Sequence, residues 1–76
     1  MNEARRKEIE QAISQIEEAR TILETVSSEE REEFDELPEK AQESEKGLKI
    51  DASASALEES LDECDSILSK LNDAKV

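Results

Sequence analysis

The sequence predicts an all-α fold, an antiparallel hairpin of two long helices that self-associates into a bundle. Three observations predict it: two amphipathic segments of matching length, many helix-forming residues, and few residues suited to turns or strands. The 76 residues include one Gly, one Pro and one Phe, and no Trp or Tyr. A β-fold needs turn residues and β-branched runs, whereas the abundant Ala, Leu, Glu, Lys and Arg favour helices. The length fits a single domain.

The first predicted helix covers residues 3–26. Apolar residues recur in it at alternating spacings of three and four, which places them along one helix face as a seam. The predicted seam consists of Ile9, Ala12, Ile16, Ala19, Leu23 and Val26. Two further residues, Ile13 and Ile22, flank the seam and widen the apolar stripe.

The second predicted helix covers residues 51–73 and has a seam of the same length. This seam consists of Ala54, Leu57, Leu61, Cys64, Leu68 and Leu71. Asp51 is the predicted N-cap, because its carboxylate would accept hydrogen bonds from the amides of the first turn. Ser44 is the alternative start of this helix.

Two seams of equal length suit an antiparallel hairpin in which they face each other. Six seam residues are expected to form the core and the contacts between copies, namely Ile9, Ile16, Leu23, Leu57, Leu61 and Leu68. A lone hairpin leaves half of each apolar stripe in water. Association into a four-helix bundle is therefore expected.

Residues 27–47, which we call the acidic tip, connect the two predicted helices. Ser27 and Glu30 fit a capping box, which predicts that the chain restarts a helical turn at this point. Pro38 is expected to end one helical segment and to begin a short turn at Glu39–Gln42.

Charge is concentrated in the acidic tip. The chain has a formal net charge of −12, and residues 27–47 hold nine acids and three bases, a net charge of −6. This balance disfavours direct binding to nucleic acid or to an anionic membrane, both of which need a surplus of Lys and Arg. It favours a basic protein partner. Because the sequence has neither an apolar run long enough for a membrane span nor a signal-peptide core, a cytoplasmic location is expected.

The residue types needed for catalysis are scarce. The chain has no His, so the usual proton carrier at neutral pH is missing. No Gly-rich phosphate loop or calcium loop is present, and no metal or cofactor is expected. Cys64 occupies a seam position and is interpreted as a small buried apolar residue, with acidic neighbours that disfavour the thiolate. The sequence therefore predicts a protein that is not an enzyme.

The centre of the acidic tip carries a distinctive pattern. It consists of Asp35, Leu37, Pro38, Glu39, Gln42, Ser44, Glu45 and Gly47. Set between two amphipathic helices, the pattern resembles that of a group of small uncharacterised helical proteins of bacteriophages and prophages. The resemblance implies a phage setting and a host cytoplasm, where short accessory proteins often bind and inhibit host factors, some of them as DNA mimics. It implies no role for any individual residue.

The acidic tip is the candidate partner-binding site, with contacts expected from Glu32, Glu33, Asp35, Glu36, Glu39 and Glu43. The predicted function is a protein-binding module, such as a phage accessory or counter-defence inhibitor that occludes a basic surface. The structural alternative is that the tip only connects the two helices and binds no partner. A structural coiled-coil component, a DNA mimic and a nucleotide sponge are further alternatives, although the sponge would need a pocket with aromatic and Arg side chains.

Overall fold

The computed structural model covers residues 1–76 and consists of three helices with no strand. They are α1 (Glu3–Glu36), α2 (Glu39–Gln42) and α3 (Glu45–Ala74). The two long helices pack against each other, and α2 packs on the start of α3. The molecule is a rod of 57 × 15 × 13 Å. The predicted all-α helical hairpin is confirmed.

Contacts between the long helices show that they are antiparallel. Near the start of α1, Arg6 donates to the carbonyl oxygen of Lys75 at 2.7 Å. Further along α1, Arg20 meets Asp65. Close to the tip, Arg31 meets residues from the first half of α3. Residues of increasing number along α1 thus contact residues of decreasing number along α3.

Helix α1 is ten residues longer than the predicted 3–26 helix and ends at Glu36. The predicted capping box at Ser27 is wrong, because this residue lies inside α1 and is only 4% exposed. No helix breaker stands between Ser27 and Glu36, and most residues there are Glu or Arg, which favour helix. The helix stops when Leu37 turns extended, with ψ of 141°, as a residue before proline prefers. The prediction that Pro38 ends a helix is confirmed.

Helix α3 begins at the alternative site, with Ser44 as its N-cap. The Ser44 hydroxyl accepts a hydrogen bond from the Gly47 amide at 3.2 Å. The predicted cap at Asp51 is wrong, because this residue lies within α3 and its carboxylate pairs with Arg31 at 2.8 Å. The predicted short helical turn at Glu39–Gln42 is confirmed as α2.

The seam of α3 lies where the sequence predicted it. All six predicted residues are buried or half-buried, and Ala54 is 0% exposed. The seam continues towards the N-terminus through Ile50 and Gly47. Only four of the 76 residues are buried. The core is therefore a thin layer between the seams of α1 and α3.

The seam of α1 is confirmed only in part. Four of its six predicted residues are half-buried, namely Ile9, Ala12, Ile16 and Leu23, but Ala19 and Val26 are exposed. The positions that alternate with the three large residues are Ile13, Arg20 and Ser27. The buried face of the helix is therefore rotated by about 50°, half the angle between successive residues, from the predicted phase. Burying Ile13, which is 8% exposed, removes more apolar area from water than burying Ala12.

Gly47 permits close contact between α2 and α3. A Cβ atom at this position would lie 2.5 Å from the carbonyl oxygen of Gln42 and closer still to that of Ala41. Both atoms belong to the backbone, so a side chain would force the two helices apart. The backbone of Gly47 has no positive φ, so space, not conformation, requires glycine here.

We predict that Gly47→Ala destabilises the protein by about 1–3 kcal/mol through this overlap, although Ala is the better helix former by about 1 kcal/mol. Ser53→Ala, an exposed change within the same helix, is the matched control and should be neutral or slightly stabilising. Urea melts followed by circular dichroism measure both changes. A gain in stability for Gly47→Ala would contradict the close packing.

The middle of the α3 seam gives a second prediction. Leu61 is half-buried, whereas Glu59, two residues away, is exposed. Leu61→Ala should lower the free energy of unfolding by about 2 kcal/mol, because it removes buried apolar volume. Glu59→Ala should change it by no more than about 0.5 kcal/mol. Equal losses in the same denaturant titration would mean that Leu61 does not face α1.

Candidate functional site

The six predicted contact residues lie together at one end of the rod. Four of them occupy the last turns of α1, Glu39 begins α2 and Glu43 follows it. All six are exposed, and none takes part in any of the five ion pairs of the molecule. The hairpin therefore presents a group of uncompensated carboxylates at its closed end.

Hydrogen bonds fix the backbone that carries these acids. The Gln42 side-chain amide donates to the carbonyl oxygen of Phe34 at 3.1 Å, which satisfies a group at the end of α1. The Leu37 amide donates to the same oxygen at 3.1 Å, and the Gln42 amide donates to that of Pro38 at 3.0 Å. The acids at the tip thus stand on an ordered turn.

The distinctive central pattern divides into two kinds of residue. Leu37 is half-buried, and Gln42, Ser44 and Gly47 hold the turn together through the contacts described above. The acidic members of the pattern are exposed, and only Glu45 has a partner, Lys49 at 3.4 Å. The non-acidic positions therefore build the turn, and the acidic positions are displayed on it.

An Arg-centred cluster joins α1 to α3 at the base of the acidic tip. The Arg31 guanidinium contacts Asp51 at 2.8 Å and Glu58 at 3.0 Å, and it donates to the Ser55 hydroxyl at 3.3 Å. Its carbon Cζ lies 5.4 Å from the centre of the Phe34 ring, within the range of a cation–π contact. One sequence signal of this role is that Arg31 is the only base within the acid-rich residues 29–36.

A second Arg joins the middle of the two helices. The guanidinium of Arg20 binds both carboxylate oxygens of Asp65, at 2.7 and 3.2 Å, and also pairs with Glu24 at 2.9 Å. Hydrogen bonds from Arg20 lower the pKa of Asp65. Hydrogen bonds from Arg31 lower the pKa of Glu58 in the same way. Sequence reasoning missed both interhelical pairs because the partners are far apart in the chain.

Both Arg clusters lie on one long edge of the hairpin. Residues that directly follow a seam position are turned about 100° to one side of it. Because the helices are antiparallel, these positions of both helices share an edge, which we call the acidic edge. On α3 it carries four acids and no base among the following positions from 51 to 72, namely Asp51, Glu58, Asp62 and Asp65.

Residues that directly precede a seam position form the opposite edge, which we call the neutral edge. Its principal members are Ala12, Ala19, Ile22, Val26, Ala56 and Ile67. Three of them are large and solvent-exposed, with Ile22 at 64%, Val26 at 43% and Ile67 at 47%. The neutral edge therefore exposes three large apolar side chains to water, whereas the ion pairs between the two helices lie along the acidic edge.

Other candidate chemistry finds no assembled site. Cys64 is a half-buried free thiol in the α3 seam. No three His, Cys, Asp or Glu side chains come together in a cluster suited to a metal ion. None of the helices combines the length and apolar character needed to cross a bilayer.

Comparisons with protein-family models, with curated proteins and with solved structures found no match.

The Arg clusters predict a pH-dependent difference between two proteins. Because the pKa values of Glu58 and Asp65 are lowered in the fold, their ion pairs stabilise it above the ordinary carboxyl pKa of about 4. This contribution is lost as the pH falls through the lowered values. The wild type should therefore melt above an Arg20→Gln/Arg31→Gln variant at pH 7, and the two melting temperatures should converge near pH 2.

Thermal melts from about pH 7 to pH 2 measure this gap. Protonation of the 22 carboxyl side chains changes the net charge of the wild type from −12 to about +10, and it changes that of the variant by the same amount. High salt at pH 7 should also narrow the gap by screening these partly exposed pairs. A gap of constant size across the pH range would show that Arg20 and Arg31 act through packing of their side-chain stems alone.

Proposed function

We propose that this protein is a non-enzymatic binding module whose acidic tip docks on a basic protein surface and occludes it. The observation that carries the proposal is the group of six exposed, unpaired carboxylates on an ordered turn at one end of a 57 Å rod. Such a group costs stability through mutual repulsion and contributes nothing to the core. A basic partner would turn that repulsion into attraction.

The arrangement of the bases strengthens this reading of the tip. Residues 27–47 contain three bases, Arg31, Lys40 and Lys46. Arg31 is engaged by Asp51 and Glu58 of α3, outside the tip sequence. Its positive charge therefore neutralises acids of α3 outside the tip. The tip carboxylates are thus less compensated than the net charge of −6 for residues 27–47 suggests.

The resemblance to small phage and prophage proteins supports a phage accessory or counter-defence role. In that setting the protein would bind a host factor in the cytoplasm and block its basic surface. A DNA mimic is a special case, in which DNA would compete for the same partner. The two surface depressions of the hairpin are lined by no aromatic ring and no Arg, so neither supports the alternative of a nucleotide sponge.

A second candidate function is a structural assembly component. The observation that favours it is the exposed apolar row on the neutral edge. This candidate needs no partner other than further copies of the chain. The two functions are separable, because one uses the closed end of the rod and the other uses a long edge.

The test of the tip is a variant in which Glu32, Glu33 and Glu36 become Gln and Asp35 becomes Asn. All four side chains are exposed and lack ion-pair partners, so helicity should remain. Capture of a basic partner from host lysate should fall at least about tenfold, and capture by the wild type should weaken with salt. Circular dichroism and a quantitative pull-down measure the two properties.

A matched control removes the same charge from the half of the rod that contains the two chain termini. Glu10→Gln, Glu17→Gln, Glu18→Gln and Asp73→Asn change four exposed acids that also lack ion-pair partners. Capture by this control should stay close to that of the wild type. Full capture by the tip variant would assign the tip to a connecting role, and equal losses in both variants would indicate attraction by net charge alone.

A further inference from the structure

We infer that the neutral edge is a homodimer interface, on which a second copy of this chain packs to form a four-helix bundle. The inference rests on three properties of that edge: its exposed apolar side chains, its lack of net charge, and the surface area of the single hairpin. It assigns the surface through which the copies meet and does not depend on the function of the tip.

The first property is the one-sided placement of apolar side chains. Ile22 and Val26 on α1 and Ile67 on α3 each directly precede a seam residue, so they lie on the same edge of the antiparallel pair. Small residues flank them on the same edge, including Ala19 and Ala56. A surface of large and small apolar residues packs well against a copy of itself, as the core layers of helical bundles do.

The second property is the absence of net charge along this edge. The positions of α1 that precede the seam from 12 to 26 carry no charge, and those of α3 from 53 to 74 carry Glu63 and Lys70, one of each sign. Two copies with a net charge of −12 each repel one another in most orientations. The neutral edge is the long surface on which they approach with the least repulsion.

The third property is the solvent-accessible surface area of the single hairpin. The hairpin exposes 5568 Å², whereas a compact monomer of its 8.6 kDa mass exposes about 4,700 Å². The excess of about 900 Å² is close to the roughly 800 Å² that each partner buries in a standard stable interface. A second copy that covered this excess on the neutral edge would leave each chain with about the exposed surface of a compact monomer of its mass. It would also leave both acidic tips and both acidic edges in solvent.

Sedimentation equilibrium over about 1 µM to 1 mM measures the association of the full chain. The wild type should be a dimer at the upper concentrations, and high salt should tighten it by screening the repulsion between copies. This salt response is opposite to that expected for partner capture by the tip, so the two proposals fail independently. A monomer throughout this range would overturn the inference.

Two changes at Ile67 locate the interface. Ile67→Glu places a charge in the apolar row and should raise the dimer Kd at least about a hundredfold. Ile67→Ala is milder and keeps a good helix former, and it should raise the Kd about tenfold. If the Glu variant loses helicity, the Ala variant decides the question. An unchanged Kd in the Ala variant would overturn the inference.

Leu48→Glu is the matched control. Leu48 is another exposed large apolar residue of α3, at 59%, but it directly follows the seam position Gly47 and therefore lies on the acidic edge. Its change to Glu should alter the dimer Kd by less than about threefold, roughly the effect of one added surface charge. Dissociation as complete as that of Ile67→Glu would place the interface elsewhere and overturn the inference.

Discussion

The packing of one narrow seam of α1 against one narrow seam of α3 is the contact on which the rest of this molecule depends. A pair of helices has only one mutual face, so most of each helix surface stays in water, and only four of 76 residues are fully buried. Small residues occupy the most enclosed positions, with Ala54 at 0% and Ser27 at 4% exposed. Small side chains at a helix contact shorten the distance between the axes, which compensates in part for the thin core.

Contacts beside the seam determine which charges of the molecule are paired. Two Arg residues of α1, Arg31 near the tip and Arg20 in the middle of the helix, extend to the acidic edge and bind acids of α3. Long side chains of this kind bury their stems beside a seam while their charged ends remain in solvent. Arg31 and Arg20 thereby relieve the repulsion among acids of α3. The six carboxylates of the tip are left without such relief, and the neutral edge needs none.

Much of the hairpin was predictable because its signals are local. The period of the α3 seam, the stop imposed by Pro38 and the short helix after it follow from a few neighbouring residues. The predicted boundary at Ser27 failed because a favourable capping pair is worth less than the continuation of a helix that has a seam to bury. For the candidate site, the sequence identified the exposed acids but not the Arg clusters, since those need the register between α1 and α3.

The sequence by itself determined that this chain forms two long amphipathic helices, that Pro38 marks the connection between them, and that the connecting region is the most acidic part. Only the tertiary structure decided which side of α1 faces α3. The predicted seam residue Ala12 and its neighbour Ile13, which occupies the observed seam, are both apolar, and periodicity alone treats them as equivalent. The choice falls to the larger buried area of Ile13 and to the reach of Arg20 and Arg31 across to α3, both of which exist only once the helices are in contact.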